Sequence, residues 1–220
     1  YELLPEQYYT LQQAKELAAF CKAHQVLLIP EIDMPGHSRA FEKALGTPMQ
    51  SERGISILKE ILDEVVETFD VPYIHIGTDE VAFTHPTFVS EMVAYLRAKG
   101  KKVISWNPGW PYKAGEIDMT QLWSYRGKKQ KGIPAIDCRF HYLNHYDAFA
   151  DLVALYQSRI LNVPQGDEEH AGAILALWND RYITDEKANL LQNNFYPALL
   201  ALSERAWQGG GTEYFDGNGT

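Results

Sequence analysis

Two cysteines in 220 residues, Cys21 and Cys138, are too few for a disulfide framework or a thiolate metal site. Both read as buried free thiols, one on a helix face and one in a strand, which leaves the redox compartment open. No apolar run approaches the length of a membrane-spanning helix. Positive charge is scarce. Twenty Lys and Arg against 29 Asp and Glu give a net charge of −9, and the densest basic stretch is Lys128-Lys129-Gln130-Lys131. Nucleic acid and anionic membrane surfaces are therefore poor partners. Short repeats and low-complexity linkers are also missing, so one domain is the economical organisation. What the chain does have is 45% hydrophobic residues and five tryptophans, enough for a substantial core.

Helical and strand patterns alternate. Thr10-Leu11-Gln12-Gln13 has the form of a capping box, and Leu17, Ala18 and Cys21 then share a helix face. Val26-Leu27-Leu28-Ile29-Pro30 is a continuous apolar run, in the style of a strand buried on both sides. Ile55, Leu58, Ile61, Leu62, Val65, Val66 and Phe69 recur at three- and four-residue spacing and predict an amphipathic helix. Tyr73 to Ile76 predicts a second strand. Phe88, Met92, Tyr95 and Leu96 predict a helix closed by Gly100. Further strands are predicted at 102–106, 121–123, 135–138 and 173–178. A helix is predicted at 147–156, with Phe149, Leu152, Val153 and Tyr156 inward, and a last one at 197–207. Buried strands alternating with helices mean a parallel α/β sheet. Six strands fall short of a (β/α)8 TIM barrel, which takes roughly 250 residues.

Polar residues collect where these strands end. The first runs into Glu31-Ile32-Asp33-Met34-Pro35-Gly36-His37, and the second into His75, Asp79 and Glu80. Trp106-Asn107 and Trp123 close the next two. The fifth leads to His141-Tyr142-Leu143-Asn144 and the sixth to Trp178-Asn179-Asp180. A lone tryptophan at such a position is usually core. Three at carboxyl ends, interleaved with acids and amides, make a wall suited to a sugar ring. Asp79 and Glu80 could instead be an ordinary acidic helix start. As neighbours on one strand end their side chains diverge. That suits a substrate supplying its own nucleophile better than two acids facing each other about 5–5.5 Å apart. A 2-acetamido group could attack the anomeric carbon while one carboxylate orients the amide and the other moves the proton. Asp33 and His37 could support that acid.

These motifs resemble glycoside hydrolase family 20, the β-N-acetylhexosaminidases. The segment Ile29 to His37 resembles the third-strand motif of that family. His75-Ile76-Gly77-Thr78-Asp79-Glu80 resembles its His-x-Gly-Gly-Asp-Glu, Trp178-Asn179-Asp180 its Trp-x-Glu, and Ser203-Glu204-Arg205-Ala206-Trp207 its closing helix. The resemblance implies a TIM barrel, here an incomplete one of about six parallel strands. It implies hydrolysis of terminal β-linked GlcNAc or GalNAc with retention, by substrate assistance, with N-acetylhexosamine glycans as partners and no metal or organic cofactor. Glu80 would be the general acid/base, and Asp79 would orient the acetamido group. Tyr142 would bind its oxygen, and Trp106, Trp123 and Trp178 would wall the pocket. Asn144 and Asp180 would meet the distal hydroxyls. Asp33, His37 and His75 would be the supporting shell.

Some residues depart from the pattern. Thr78 replaces a glycine, a change a strand would tolerate. Asn144 and Asp180 replace Asp and Glu, which changes reach and donor character at the distal hydroxyls. The first two barrel strands have no counterpart. The expectation is the C-terminal three-quarters of a barrel over residues 1–220, a fragment partnered by a missing N-terminal segment. An extracellular or periplasmic setting is expected because glycans are degraded there. Two other readings compete: a catalytically silent sugar-binding relative, and a metal-dependent hydrolase built on Asp33, His75 and Asp79.

Overall fold

The computed structural model describes residues 8–139, 142–143, 151–177 and 195–212. Contacts group the chain into two compact units, Tyr1–Tyr112 with Glu116–Asp118, and Lys113–Gly115 with Met119–Thr220.

In the first unit, helix α1 spans Leu11–Ala23 and starts as its sequence predicts. Thr10 Oγ1 accepts from the Gln13 amide at 3.2 Å, and the Gln13 side chain accepts from the Thr10 amide at 2.9 Å. A short helix not anticipated from the sequence, α2 (Arg39–Leu45), follows and stops at Gly46. Helix α3 (Glu52–Phe69) begins one turn before its apolar stripe because Ser51 caps it, accepting from the Gly54 amide at 3.0 Å. It buries Ile55, Leu58, Leu62 and Val65. Strand β1 (Tyr73–His75) and strand β2 (Lys102–Asn107) pair in parallel, and helix α4 (Phe88–Ala98) connects them. Phe88, Met92 and Leu96 of α4 are buried with Ile74, Val103 and Ile104.

The apolar run at Val26 does not form the doubly buried strand expected of it. Val26 and Leu27 are 56% and 53% exposed. Pairing with β1 begins only at its polar end, where His75 N donates to Pro30 O at 2.9 Å and Ile32 N to His75 O at 3.0 Å. Met34 N then donates to Ile76 O at 3.0 Å, and the bridge is Glu31 to His75. Burial is supplied by neighbours, and the described residues leave about half of Val26 and Leu27 uncovered. Cys21 is half-buried for the same reason, whereas Cys138 is fully buried, and both are free thiols.

In the second unit, β3 (Met119–Leu122), β4 (Ala135–Asp137) and β6 (His170–Ala173) form a parallel set, with β4 between the other two. A smaller parallel pair joins β5 (Tyr142–Leu143) to β7 (Ala176–Leu177). The single strand predicted over 173–178 is thus broken, its two ends serving different partners. Helix α5 (Leu152–Gln157) is capped by Asp151 and packs on α6 (Phe195–Gln208). Leu155 is the residue it buries, against Ala198. Leu152, Val153 and Tyr156, predicted inward, are exposed, because α6 lies on the Leu155 side. Phe149 lies outside the described residues. No described helix is long and apolar enough to cross a membrane.

Candidate active site

Past His75 the first unit leaves regular strand geometry. The chain turns through Gly77, Thr78 and Glu80 with φ of 67°, 81° and 49°. Thr78 is therefore not held in a strand, as the sequence had implied. It occupies a glycine-type conformation, which costs a β-branched side chain about 1–3 kcal/mol. Gly77 has no alternative, since a Cβ there would collide with the Asp33 carboxylate. The neighbouring loop reaches His37, also left-handed at φ 49°, and a Cβ on Gly36 would lie 2.7 Å from Asp79 O. The two motif loops are thereby pressed together backbone to backbone.

That packing separates the two adjacent acids. Asp79 is 9% exposed, while the Glu80 side chain is 58% exposed. Burial, helped by the charge of Asp33, pushes the Asp79 carboxyl up to about 6. Its Oδ1 accepts no hydrogen bond from any described residue. Glu80 Oε2 lies 3.4 Å from His37 Nε2, and His37 Nδ1 lies 2.5 Å from Asp33 Oδ2. The hydrogen bond to Asp33 raises the His37 pKa. The geometry thus lines up Asp33, His37 and Glu80 and places beside them a buried acceptor with a free lone pair.

Glu31 belongs to this cluster and has no assigned role in the sequence reading. Its Oε1 accepts the Trp106 indole N–H at 2.8 Å, and burial pushes its carboxyl up to about 7. The signal was present in the sequence: in extended backbone, Glu31 and Asp33 are two apart and face one side. His75 Nδ1 accepts from the Gly77 amide at 3.1 Å, which makes the ring a neutral Nε2–H tautomer. Burial drives its pKa down to about 3. Its ring packs on Trp106 at 4.7 Å, so His75 backs the indole.

The first unit therefore gathers Asp33, His37, His75, Asp79, Glu80 and Trp106. Trp123 follows β3 in the second unit, where it is half-buried. Tyr142 stands in β5, while Asn144, Trp178 and Asp180 lie outside the described residues. Among the described residues, the one group with metal-ligand spacing is Asp33, His37 and Asp79, with donor atoms within 4.8 Å of one another. It differs from the Asp33, His75 and Asp79 set considered from the sequence. Its histidine and Asp33 also already spend donor atoms on each other.

Comparison with known proteins bears on what this geometry serves. The family described as "Glycosyl hydrolase family 20, catalytic domain" matches residues 3–54. A β-hexosaminidase of Porphyromonas gingivalis is 22% identical over 268 aligned positions, covering 91% of this chain and 34% of that protein. The β-hexosaminidase subunit beta of Sus scrofa is 23% identical, covering 90% of this chain and 47% of its own length. Over residues 3–54, which hold the Glu31 to His37 motif, the chain is thus similar to the family 20 catalytic domain. A Vibrio furnissii β-hexosaminidase is 34% identical over a shorter stretch, 37% of this chain and 17% of that protein. The crystal structure of a Bacteroides fragilis β-N-acetylhexosaminidase superposes with a TM-score of 0.75 at 24% identity, over 97% of this chain and 54% of that one. A family 20 β-N-acetylglucosaminidase superposes at 0.70, with 19% identity, over 92% of this chain and 56% of that one. These likenesses show the fold, a (β/α)8 barrel present as an incomplete set of parallel strands. The chain spans half or less of the length of the curated relatives it matches.

Proposed function

We propose that this chain is part of a family 20 glycoside hydrolase and serves the hydrolysis of terminal, non-reducing β-linked N-acetylhexosamine by a substrate-assisted, retaining route. One observation carries the reading: Asp79 Oδ1 is buried and accepts nothing from the described residues, next to an exposed acid wired to His37 and Asp33. A buried carboxylate oxygen without a donor is costly, and a ligand N–H removes that cost. The acetamido N–H is such a donor. Held by Asp79, the acetamido carbonyl oxygen attacks the anomeric carbon as the glycosidic C–O bond breaks and Glu80 gives its proton to the leaving oxygen. Water then attacks the same carbon, its bond to the acetamido oxygen breaks to restore the acetamido group, Glu80 takes a proton from the water, and the sugar leaves with its configuration retained. His37 Nε2 faces Glu80 and can receive or return its proton, with Asp33 fixing the ring. Trp106, backed by His75 and anchored by Glu31, offers an apolar face to the ring.

The test is turnover of an aryl N-acetylglucosaminide by the full chain against its Glu80→Gln variant. A fall of about 10²–10⁴-fold is expected, the range for removing a general acid. Wild-type rates in the variant would remove Glu80 from the mechanism. An aryl glucoside lacking the acetamido group should not turn over; if it does, substrate assistance is wrong. The altered Asn144 and Asp180 favour one other reading, a silent sugar-binding relative, which predicts saturable N-acetylglucosamine binding with no turnover in the same assay.

A further inference from the structure

One oxygen of the Asp79 carboxylate accepts no hydrogen bond from any described residue, so no described side chain holds it on that side. The backbone just before it passes through Thr78, which is 1% exposed at φ 81°. Here a glycine would fit without strain, so what the threonine side chain adds needs an account. Its Oγ1 lies 2.5 Å from Ser105 Oγ on β2. Tyr112 Oη donates to the same Ser105 Oγ at 2.8 Å, and Ser105 Oγ lies 3.0 Å from Gly77 O. A hydroxyl has one proton and two lone pairs. Ser105 can give its proton to the Gly77 carbonyl and accept from Tyr112 and Thr78 on its two lone pairs. Tyr112 also hydrogen-bonds the Thr78 side chain, so the three hydroxyls form one cluster that closes on the peptide preceding Thr78. Burial pushes the Tyr112 hydroxyl up to about 12, so it stays a donor across any assay range. From other sides, the Thr78 amide lies 3.4 Å from Asp33 Oδ1, and a Cβ on Gly109 would come within 2.9 Å of Thr78 O. Trp106 N also donates to Gly77 O, at 2.8 Å.

We propose that Thr78 is a positioning residue, whose hydroxyl, locked by Ser105 and Tyr112, fixes the left-handed turn that aims Asp79 into the site. The proposal rests on Asp79 being the acetamido-orienting group, and its test is read on Asp79 directly as well as on turnover. Thr78→Val keeps shape and loses the hydroxyl, Thr78→Gly removes both the strain and the hydroxyl, and Thr78→Ser keeps the hydroxyl. In the full chain, the Asp79 carboxyl is followed by carbon-13 NMR titration, with its signal assigned from Asp79→Asn. It should titrate near 6 in the wild type. In Thr78→Val and Thr78→Gly it should move down toward an ordinary aspartate as the carboxylate reaches water, and in Thr78→Ser it should return. Where the chain turns over an aryl N-acetylglucosaminide, Thr78→Val should lose about ten- to a hundred-fold in kcat/KM, mostly in kcat. Thr78→Gly should melt higher than wild type yet also lose activity. Ser105→Ala should add little to Thr78→Val, as expected of groups acting as one unit. An unchanged Asp79 titration in Thr78→Val overturns the positioning role whatever the turnover. A chain that shows the shift but has no turnover keeps this role and loses the hydrolase reading.

Discussion

Each unit of this chain buries an aspartate at a strand end, and the two are treated in opposite ways. Asp137, closing β4, is 2% exposed and fully engaged. Arg139 clamps both its oxygens, Nε to Oδ1 at 2.9 Å and Nη2 to Oδ2 at 2.8 Å, and the Leu161 amide adds a bond of 2.7 Å. Asp79, past the end of β1, is also buried, but its Oδ1 accepts nothing from the described residues. A buried carboxylate with a bidentate arginine and an amide is a structural brace. One left short of donors raises its own energy and is useful only to something that brings a donor. Burial alone does not set these two carboxylates apart; the count of satisfied lone pairs does.

Breaking the brace should cost most. Asp137→Ala strands the Arg139 guanidinium and the Leu161 amide, and should destabilise the chain by about 3–5 kcal/mol, read by denaturant unfolding. A loss under about 1 kcal/mol would mean that Asp137 and Asp79 are not different in kind. The mirror experiment is Asp79→Asn. It should leave unfolding little changed or slightly favoured, while kcat/KM for an aryl N-acetylglucosaminide falls about 10²–10³-fold, the scale for losing one transition-state hydrogen-bonding group.

Proton linkage sharpens the contrast further. The folded-state pKa of Asp79, about 6, lies above the ordinary aspartate value, so folding is favoured while the group is protonated. That contribution is present below pH 4 and is lost as pH rises to 6. Asp79→Asn has no such proton, so its melting temperature should gain on the wild type between pH 4 and 6 and hold a constant lead above that. The smallest effect belongs to Glu31. Replacing it with Leu removes the acceptor of the Trp106 indole, worth about 1 kcal/mol. KM should rise a few-fold with kcat nearly unchanged, and in a Trp106→Phe background the same substitution should have no effect on KM.

Local features were legible in the sequence because they depend on neighbours along the chain. The Thr10–Gln13 capping box and the Ile55 to Val65 stripe are fixed within one or two helical turns. The grouping of Asp33 with His37, and of Asp79 with Glu80, was legible for the same reason, since each pair sits within one motif. What was hidden depends on distant packing. The bond from Trp106 to Glu31 joins residues 75 positions apart, and the exposure of Val26, Leu27 and Val153 depends on what packs over them. Thr78 looked harmless because residue type does not reveal a φ of 81°, which arises only where the Asp33 loop and β2 meet the turn.

The contrast between the two cysteines gives this chain a ready optical handle. Cys138 is sealed in the interior, and its thiol is pushed up to about 12 by burial, so at neutral pH it has almost no nucleophilic thiolate. Cys21 is partly open on α1, a helix that also displays Leu17 and Phe20. A maleimide dye added to the unaltered protein should therefore attach once, on that greasy side. Its emission colour would then report, without any mutagenesis, whether another surface settles there.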